Sequence, residues 1–454
     1  MMFDILFMLI CFLFVVLVFL PGSEDIDNAV HLLEDRIDSE VEYHRDQSSN
    51  KRSRGSSHLT SLFPLALYSS LPAAMQMKVF DKTPPGYRKV IFSTNIAETS
   101  LTIDGICFVV DCGFVKTTYF DPRTGVASLI TCTVPKSTSR QRAGRAGRTK
   151  EGKCFRLMTE VDFNALPDYA PPEMQRSDIS GAMLQLKALG IHDVVHFDFL
   201  SPPPVENMIY ALELLFSLGA VDESGSITAL GEKIVQIPLE PQLAKCLISS
   251  FEFGCTEEML SIAAMCSVDF PFAIPRGRVS AEQRQHYSDC VSEFAVLEGD
   301  HLFLLNIFNK FLENESDAKS WCDSYRLQYK ILVRAKELRQ NLKRMLVSLM
   351  SENSVLSSCG EDSVSIRKCI VSGYFGNAAR LTPSGNYVTV RGQQLVAIHS
   401  NSVLSRFGAP AEWVVFNDVV FTTNAQIRDV SKIEPLWLLE LASSYYISAF
   451  PSKI

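Results

Sequence analysis

Gln141-Arg142-Ala143-Gly144-Arg145-Ala146-Gly147-Arg148 is the stretch whose chemistry orders the rest of the chain. Gln141, Arg145 and Arg148 are spaced by four and then three residues, the interval at which side chains share one helix face. Small residues between them let a backbone or a polyphosphate come close. An amide beside two planar forks of N–H donors suits a γ-phosphate and the water that attacks it. Arginines so placed contribute roughly 10³–10⁵ in rate to phosphoryl transfer. Taken alone, the octet fits a solvated, Arg-rich helix equally well, because Arg and Gln are ordinary surface helix residues.

The flanking sequence separates the two readings. Upstream lies Ser93-Thr94-Asn95-Ile96-Ala97-Glu98-Thr99-Ser100-Leu101-Thr102-Ile103-Asp104, between the apolar runs Val90-Ile91-Phe92 and Ile106 to Val110, which read as buried strands. Strand, polar loop, strand and then a Gln/Arg helix is the layout of the second RecA-like lobe of a nucleic-acid-dependent NTPase. In order and spelling these motifs resemble the DEAH-box (DEAH/RHA) RNA helicases. Thr94–Asp104 is similar to motif V of that family and Gln141–Arg148 to motif VI. Val18-Phe19-Leu20-Pro21-Gly22-Ser23-Glu24-Asp25-Ile26 is similar to motif IV, and Pro64 to Leu71 to the motif that follows it. The likeness runs from about Val16 to the C-terminus.

The resemblance implies an α/β RecA-like lobe of the P-loop NTPase type, followed by winged-helix, α-helical bundle and β-barrel OB-fold domains. It divides the chain into an atypical apolar N-terminus (1–15), the second RecA-like lobe (16–175), a winged helix (176–245), a helical ratchet bundle (246–350) and an OB-fold (365–441). Local pattern agrees. Asp25 to Tyr43 has helical spacing, with Ile26, Ala29, Val30, Leu33 and Ile37 on one side. Val16 to Leu20 reads as a strand at the edge of the lobe. Val115 to Pro135 reads as a β-hairpin turning at Asp121-Pro122-Arg123-Thr124-Gly125. In the family a hairpin there protrudes toward the duplex and helps part the strands, and a plain structural hairpin has the same sequence signature. Ile179 to Leu189, Met208 to Leu218, a short Ser226–Thr228 strand and Leu230 to Val235 fit the winged helix. Glu213, Asp222 and Glu223 make it a poor DNA-groove reader, which would need Arg or Lys for phosphates. From Ser365 the pattern becomes period two, with Tyr387-Val388-Thr389-Val390, Leu395 to Ile398, Trp413 to Phe416 and Val419 to Phe421 as short strands. His399-Ser400-Asn401-Ser402 lacks the Pro usual after that His in the family.

A two-lobed motor of this family also uses a G-x-x-x-x-G-K-[ST] loop and an Asp-Glu-Ala-His box, and neither occurs in these 454 residues. Gly147-Arg148-Thr149-Lys150-Glu151-Gly152-Lys153-Cys154 mimics the loop but ends in Cys and follows a helix. Lys153 to Leu157 reads instead as the next strand. The expectation is a helicase sequence lacking its first lobe. Ile5 to Leu20 is an apolar run of sixteen with no Lys or Arg before Arg36, so it lacks a signal peptide's basic start. Translated intron or alternative-exon sequence in place of the first lobe is the preferred account of Met1 to Val15, and a membrane anchor the alternative.

Bulk composition limits the function classes. The 43 Lys and Arg against 51 Asp and Glu give a formal net charge of −8, so RNA contact has to be local. Lys51, Arg52 and Arg54 lie in a Ser-rich stretch that reads as a solvated loop, an import patch or an RNA-facing loop. The 12 Cys form no C-x-x-C pair, and no metal site is expected. Asp300 and His301 are adjacent, which on a helix points them apart and favours capping over a shared metal. Arg326 to Leu346 reads as one amphipathic helix. Leu327, Ile331, Leu338, Leu342 and Met345 form its apolar face, and Arg326, Lys330, Arg334 and Arg344 a flanking basic stripe open to a phosphate backbone.

Roles follow from the resemblance, position by position. Arg145 and Arg148 look like γ-phosphate contacts and Gln141 like the water-orienting residue. Ser100, Thr102 and Asp104 are similar to nucleotide-side residues, and Thr94 and Asn95 to RNA-backbone contacts. Phe80, in Lys78-Val79-Phe80-Asp81, sits where the family stacks an aromatic on the base. The implied cofactor is ATP or another NTP with Mg²⁺, the metal expected from the first lobe. The implied partners are single-stranded RNA, spliceosomal or other RNP proteins and a glycine-rich-patch activator, with a nuclear or cytoplasmic location. Two function classes remain open: an ATP-driven RNA helicase acting in splicing, and a non-catalytic RNA- or protein-binding fragment of one.

Overall fold

A computed structural model describes residues 14–48, 61–99, 102–148, 151–275, 280–350, 355–408, 410–421, 424–443 and 445–446. The chain divides into two compact units, one of residues 1–117 and 130–171, the other of 118–129 and 172–454.

The first unit is built on a five-stranded, all-parallel sheet. Its strands are β1 (Val15–Phe19), β2 (Ser61–Leu67), β3 (Tyr87–Ser93), β4 (Ile106–Asp111) and β7 (Lys153–Arg156), in the order β2-β3-β1-β4-β7. β1 is the central strand, between β3 and β4, where the sequence suggested an edge. The unbroken apolar run Val15–Phe19 is what a central parallel strand requires, since both of its faces are covered. On one face Val16, Val18, Val90, Phe92 and Val110 pack with Ile26, Ala29 and Leu33 of helix α1 (Ser23–Ser48). Glu24 and Asp25 favour its start, where acidic side chains meet the positive end of the helix dipole. On the other face Leu17, Phe19, Ile91 and Val109 pack with Val79, Ala97 and Ile103, which belong to the loops carrying the motifs. Residues 1–13, 49–60 with the Lys51/Arg52/Arg54 cluster, and Ser100 lie outside the described residues.

β5 (Phe114–Asp121) and β6 (Val126–Thr133) form the expected hairpin. Its tip, 118–129, clusters with the second unit. There Phe120 meets Tyr210 edge to face at 4.8 Å, Arg391 lies over the Tyr210 ring at 4.3 Å, and Val126 joins the barrel core. The tip is therefore packed, not a free prong.

In the second unit α2 (Ser180–Ala188), α3 (Val205–Ser217), α4 (Ala229–Gln236) and α5 (Pro241–Ser249) precede the bundle. The expected Ser226–Thr228 strand is reduced to a single bridge between Val221 and Ile227. The bundle contains α6 (Thr256–Cys266), α7 (Asp300–Glu313) and α8 (Tyr329–Leu349). Residues 365–374, read as part of the period-two region, instead belong to a helix, α9 (Ser363–Tyr374), capped by Asp362. Its Ile366, Cys369 and Ile370 are buried in the helical core, so burial set the structure there. Seven strands from Ala378 to Lys432 make the terminal sheet, β8 (Ala378–Leu381), β9 (Tyr387–Thr389), β10 (Leu395–Ile398), β11 (Trp413–Val415), β12 (Asp418–Phe421), β13 (Ala425–Arg428) and β14 (Ser431–Lys432). Their order is β12-β13-β10-β9-β8-β11-β14.

Asp300 and His301 tie α7 to that sheet. The Asp300 carboxylate accepts from Ser402 Oγ at 2.9 Å and from the amides of Val403 at 2.9 Å and Val430 at 2.8 Å. His301 bridges Ser431 Oγ at 2.8 Å and Asn417 Oδ1 at 3.0 Å. Both side chains are satisfied across the fold, so neither caps its own helix.

Candidate active site

The motif V segment begins where β3 ends, beyond the carboxyl edge of the parallel sheet, the side on which open α/β sheets bind ligands. Thr94 N–H donates to Leu67 O at 3.2 Å, and a short 3₁₀ turn, Asn95–Ala97, follows. Ala97 and Ile103 plug into the sheet. That leaves Thr94 half-buried and Asn95, Thr99, Thr102 and Asp104 exposed.

The motif VI helix spans Lys136–Ala143 and stops at Gly144. Arg145 and Arg148 therefore lie in the turns beyond it, where Arg145 N–H donates to Arg142 O and Ala146 N–H to Ala143 O, each at 3.1 Å. Gly147 adopts φ +83°, a left-handed conformation that glycine accepts without strain. The single helical stripe expected from the spacing is not formed, because two glycines in four residues end the helix early. Gln141 is exposed on the last turn.

Arg142, absent from that stripe, turns out to be the hub. It is fully buried, with Nε 2.8 Å and Nη2 2.7 Å from the Glu98 carboxylate and Nη1 2.7 Å from Asp111. Nη1 also donates to Phe114 O at 3.1 Å, and the guanidinium stacks over Phe19 at 4.9 Å. Asp111, itself buried, accepts further from Ser139 Oγ and the Gly113 amide, both at 3.0 Å. Burial works against the Arg142 charge, but Asp111 and Glu98 outweigh it and hold its pKa above the ordinary value. For Glu98 burial dominates and raises the pKa, with Arg142 opposing.

The remaining arginines hold the same loop by its backbone and hydroxyl. Arg145 Nη2 donates to the carbonyls of Glu98 and, at 2.8 Å, Thr99. Arg148, exposed, donates from Nη1 to Thr102 Oγ1 at 3.2 Å. Burial, followed by the nearby Arg148 charge, lowers the Arg145 pKa. Motifs V and VI are thus joined at Glu98, Thr99 and Thr102. Phe80 stands apart from these bonds, 42% exposed, on the loop that follows β2.

In the second unit the basic helix begins at Tyr329, not Arg326. Its buried face is Leu332, Ala335, Leu342 and Leu346, while Ile331 and Leu338 are half-buried and Met345 is exposed. Leu327 belongs to a bridge with Phe272. Arg326 adopts φ +57° in the preceding turn and is half-buried, so it leaves the stripe. Lys330 and Arg334 are exposed. Of the other cations on the helix, Lys343 pairs with Glu257 at 2.7 Å, Arg339 with the same carboxylate and Lys336 with Glu315, while Arg344 is exposed and donates to Asn341 Oδ1. Among the described residues no group of three or more His, Cys, Asp or Glu could hold a metal, and no helix is long and apolar enough to cross a membrane.

Sequence reasoning missed Glu98, Asp111 and Arg142. A signal existed: Asp111 closes an apolar strand, where a carboxylate needs a buried partner.

Four family matches follow one another along the chain. Residues 58–150 match the helicase conserved C-terminal domain, 211–239 the winged-helix and 240–304 the ratchet-like helicase associated domain (HA2), and 366–445 the oligonucleotide/oligosaccharide-binding (OB) fold. The chain belongs to the DEAH-box RNA helicases and corresponds to their C-terminal half. It is 44% identical over 95% of its length to the human protein named probable ATP-dependent RNA helicase DHX35, and 43% identical to that of Pongo abelii. To the Schizosaccharomyces pombe pre-mRNA-splicing factor ATP-dependent RNA helicase prp22 it is 41% identical over 97%. The chain spans 58%, 57% and 36% of those three relatives.

Proposed function

We propose that this chain supplies the arginine side of the nucleotide cleft, and the floor of the RNA path, in an ATP-driven RNA helicase that remodels RNPs in the nucleus during pre-mRNA splicing. The observation that carries it is the seating of Arg145 and Arg148 on the loop Glu98–Thr102 at the sheet's carboxyl edge. Two guanidinium groups, an exposed Gln141 and an exposed aromatic ring at Phe80 fit the phosphate end and the base of a nucleoside triphosphate. Arg145 and Arg148 would contact the γ-phosphate and Gln141 orient the water. Ser100, Thr102 and Asp104 would line the nucleotide side, and Phe80 would stack on the base without reading its edges. When bound, Mg²⁺ would neutralise the phosphate charge, held by ligands from the first lobe. Arg145 gives up its carbonyl partners at Glu98 and Thr99 when it turns to a phosphate, so nucleotide contact is felt by the loop that carries Thr94 and Asn95. Thr94 and Asn95 in the first unit, and separately Lys330 and Arg334 in the second, would each offer contacts to the phosphate backbone of single-stranded RNA. Spliceosomal proteins and a glycine-rich-patch activator would be its partners.

The absence of a Walker A loop and a DEAH box from these 454 residues favours a second reading for the chain by itself: RNA binding without turnover. Both readings are tested by measuring RNA-stimulated ATP hydrolysis with and without a first RecA-like lobe in the same polypeptide. We expect none from the chain alone, turnover with the lobe present, and a loss of at least 10³-fold on Arg145→Ala. Full turnover by the Arg145→Ala two-lobed protein would refute the assignment.

A further inference from the structure

Lys89 is an unusual residue for the place it occupies. It lies inside the parallel sheet, on β3, and is 4% exposed. Side chains alternate across a strand, so Lys89 shares the face of Ile91, the face against which Val79 packs. A buried ammonium is costly unless its donors are satisfied, and burial duly lowers its pKa, with Asp81 opposing. The acceptors are two backbone carbonyls, Val79 O at 3.0 Å and Asp81 O. They belong to the residues on either side of Phe80.

The segment is held from behind as well. Val79 N–H donates to Gln76 O at 3.3 Å, Phe80 N–H to Met77 O at 3.0 Å and Asp81 N–H to Lys78 O at 3.3 Å. The Val79 side chain is 1% exposed and anchored in the core, while its neighbour Phe80 is turned outward. The chain therefore bonds one buried cation to a carbonyl of each residue flanking an exposed aromatic. A surface phenylalanine with no ligand to meet has no need of so costly a support.

We propose that Lys89 is a positioning residue that presents the Phe80 ring as the stacking platform for the nucleobase. The inference rests on the assignment of Phe80 to the base under the proposed function. With the loop clamped at residues 79 and 81, the ring is set before the nucleotide arrives, so less ordering is needed on binding.

The test uses the two-lobed enzyme and inhibition of its RNA-stimulated ATPase by ADP and by inorganic pyrophosphate, which has no base. Phe80→Ala raises the inhibition constant for ADP roughly tenfold, the scale of one base–aromatic stack. Lys89→Met does the same, leaves the constant for pyrophosphate within about twofold, and adds little on top of Phe80→Ala. Lys89→Arg, which can still donate to both carbonyls, keeps wild-type values. If Phe80→Ala leaves ADP inhibition unchanged, the assignment of Phe80 fails, and this proposal with it. If Phe80→Ala weakens ADP but Lys89→Met does not, only the role of Lys89 is overturned. Equal weakening of ADP and pyrophosphate by Lys89→Met also overturns it, since that marks general damage. Should Lys89→Met not fold, Lys89→Leu, which likewise has no donor, carries the same expectations.

Discussion

Replacing Arg142 by Met is the sharpest perturbation the first unit offers. The side chain is fully buried and binds Glu98, Asp111 and Phe114 O, and Asp111 is equally buried. Removing one partner of a buried ion pair typically costs about 3–5 kcal/mol, because the other charge is left behind. Two features pull the value to the lower end. Asp111 keeps its bonds from Ser139 and Gly113, and the Glu98 side chain, 13% exposed, can reach water. The expected loss is therefore about 3 kcal/mol. For a unit of this size that corresponds to a fall in melting temperature of roughly 6–12 °C. Calorimetry of the whole chain reads the first unit's transition, and urea melts give the free energy. Adding Asp111→Asn to Arg142→Met should recover part of the loss, since the stranded charge is gone. A loss below about 1 kcal/mol, or no recovery in the double variant, would refute the view that this pair is a buried, mutually dependent charge site.

Other expectations concern the second unit. Burial lowers the His301 pKa to about 4, so its neutral form stabilises the fold above its ordinary value, and that stability is lost as pH falls toward 4. Asp300, pushed up by burial to about 6, has the opposite dependence: its contribution is present at low pH and is lost as pH rises through 6. In urea melts, the destabilisation caused by His301→Asn should thus grow by about 3 kcal/mol between pH 4 and 6.5, and a constant difference would refute it. Arg391→Ala removes the cation over Tyr210 and should cost about 1 kcal/mol, read as faster hydrogen exchange in 118–129 and nowhere else in the second unit. Lys330→Ala with Arg334→Ala should lower the salt dependence of single-stranded RNA binding by about 0.7 in log–log slope for each phosphate no longer neutralised, and an unchanged slope removes them from the RNA path.

What the sequence disclosed depends on the range over which each signal acts. The strands of the first unit were legible because a parallel strand covered on both faces must be apolar throughout, as Val15–Phe19 and Ile106–Val110 are. The position of β1 within the sheet was not, since strand order is set by crossovers that leave no local mark. α9 was misread for a related reason: Ile366, Cys369 and Ile370 are three and four apart, but the strand-like residues downstream outweighed that spacing. In α8 the period was right and the phase was off by one, which moved Met345 to the surface and brought Leu332, Ala335 and Leu346 inside. The start of the helix decided this. A left-handed Arg326 and a bridged Leu327 hold the chain out of the helix until Tyr329, and neither is visible in hydrophobic spacing.

The motifs were legible as motifs, yet the spacing rule passed over the arginine that lies in the core. Counting along an ideal helix grouped Gln141 with Arg145 and Arg148 and left Arg142 as filler. With the helix ended at Gly144, the relation inverts: Arg142 is the residue that must be where it is, and Arg145 and Arg148 are placed by the turns that follow. The consequence lies at Glu98. Its carboxylate is fixed by Arg142 and its carbonyl by Arg145, so one residue of the motif V loop is gripped at both ends by motif VI. A permanent grip through the side chain and an exchangeable one through the backbone is the arrangement a coupling element needs. On the proposed role of Arg145, the first would keep the loop attached as Arg145 turned to a phosphate, and the second would let that departure alter the peptides of Glu98 and Thr99 without unfolding them. On this argument Glu98→Gln, which retains an acceptor for Arg142, should lower RNA stimulation of the two-lobed enzyme less than Glu98→Ala. Equal effects of the two would mean that the side chain carries no part of the link.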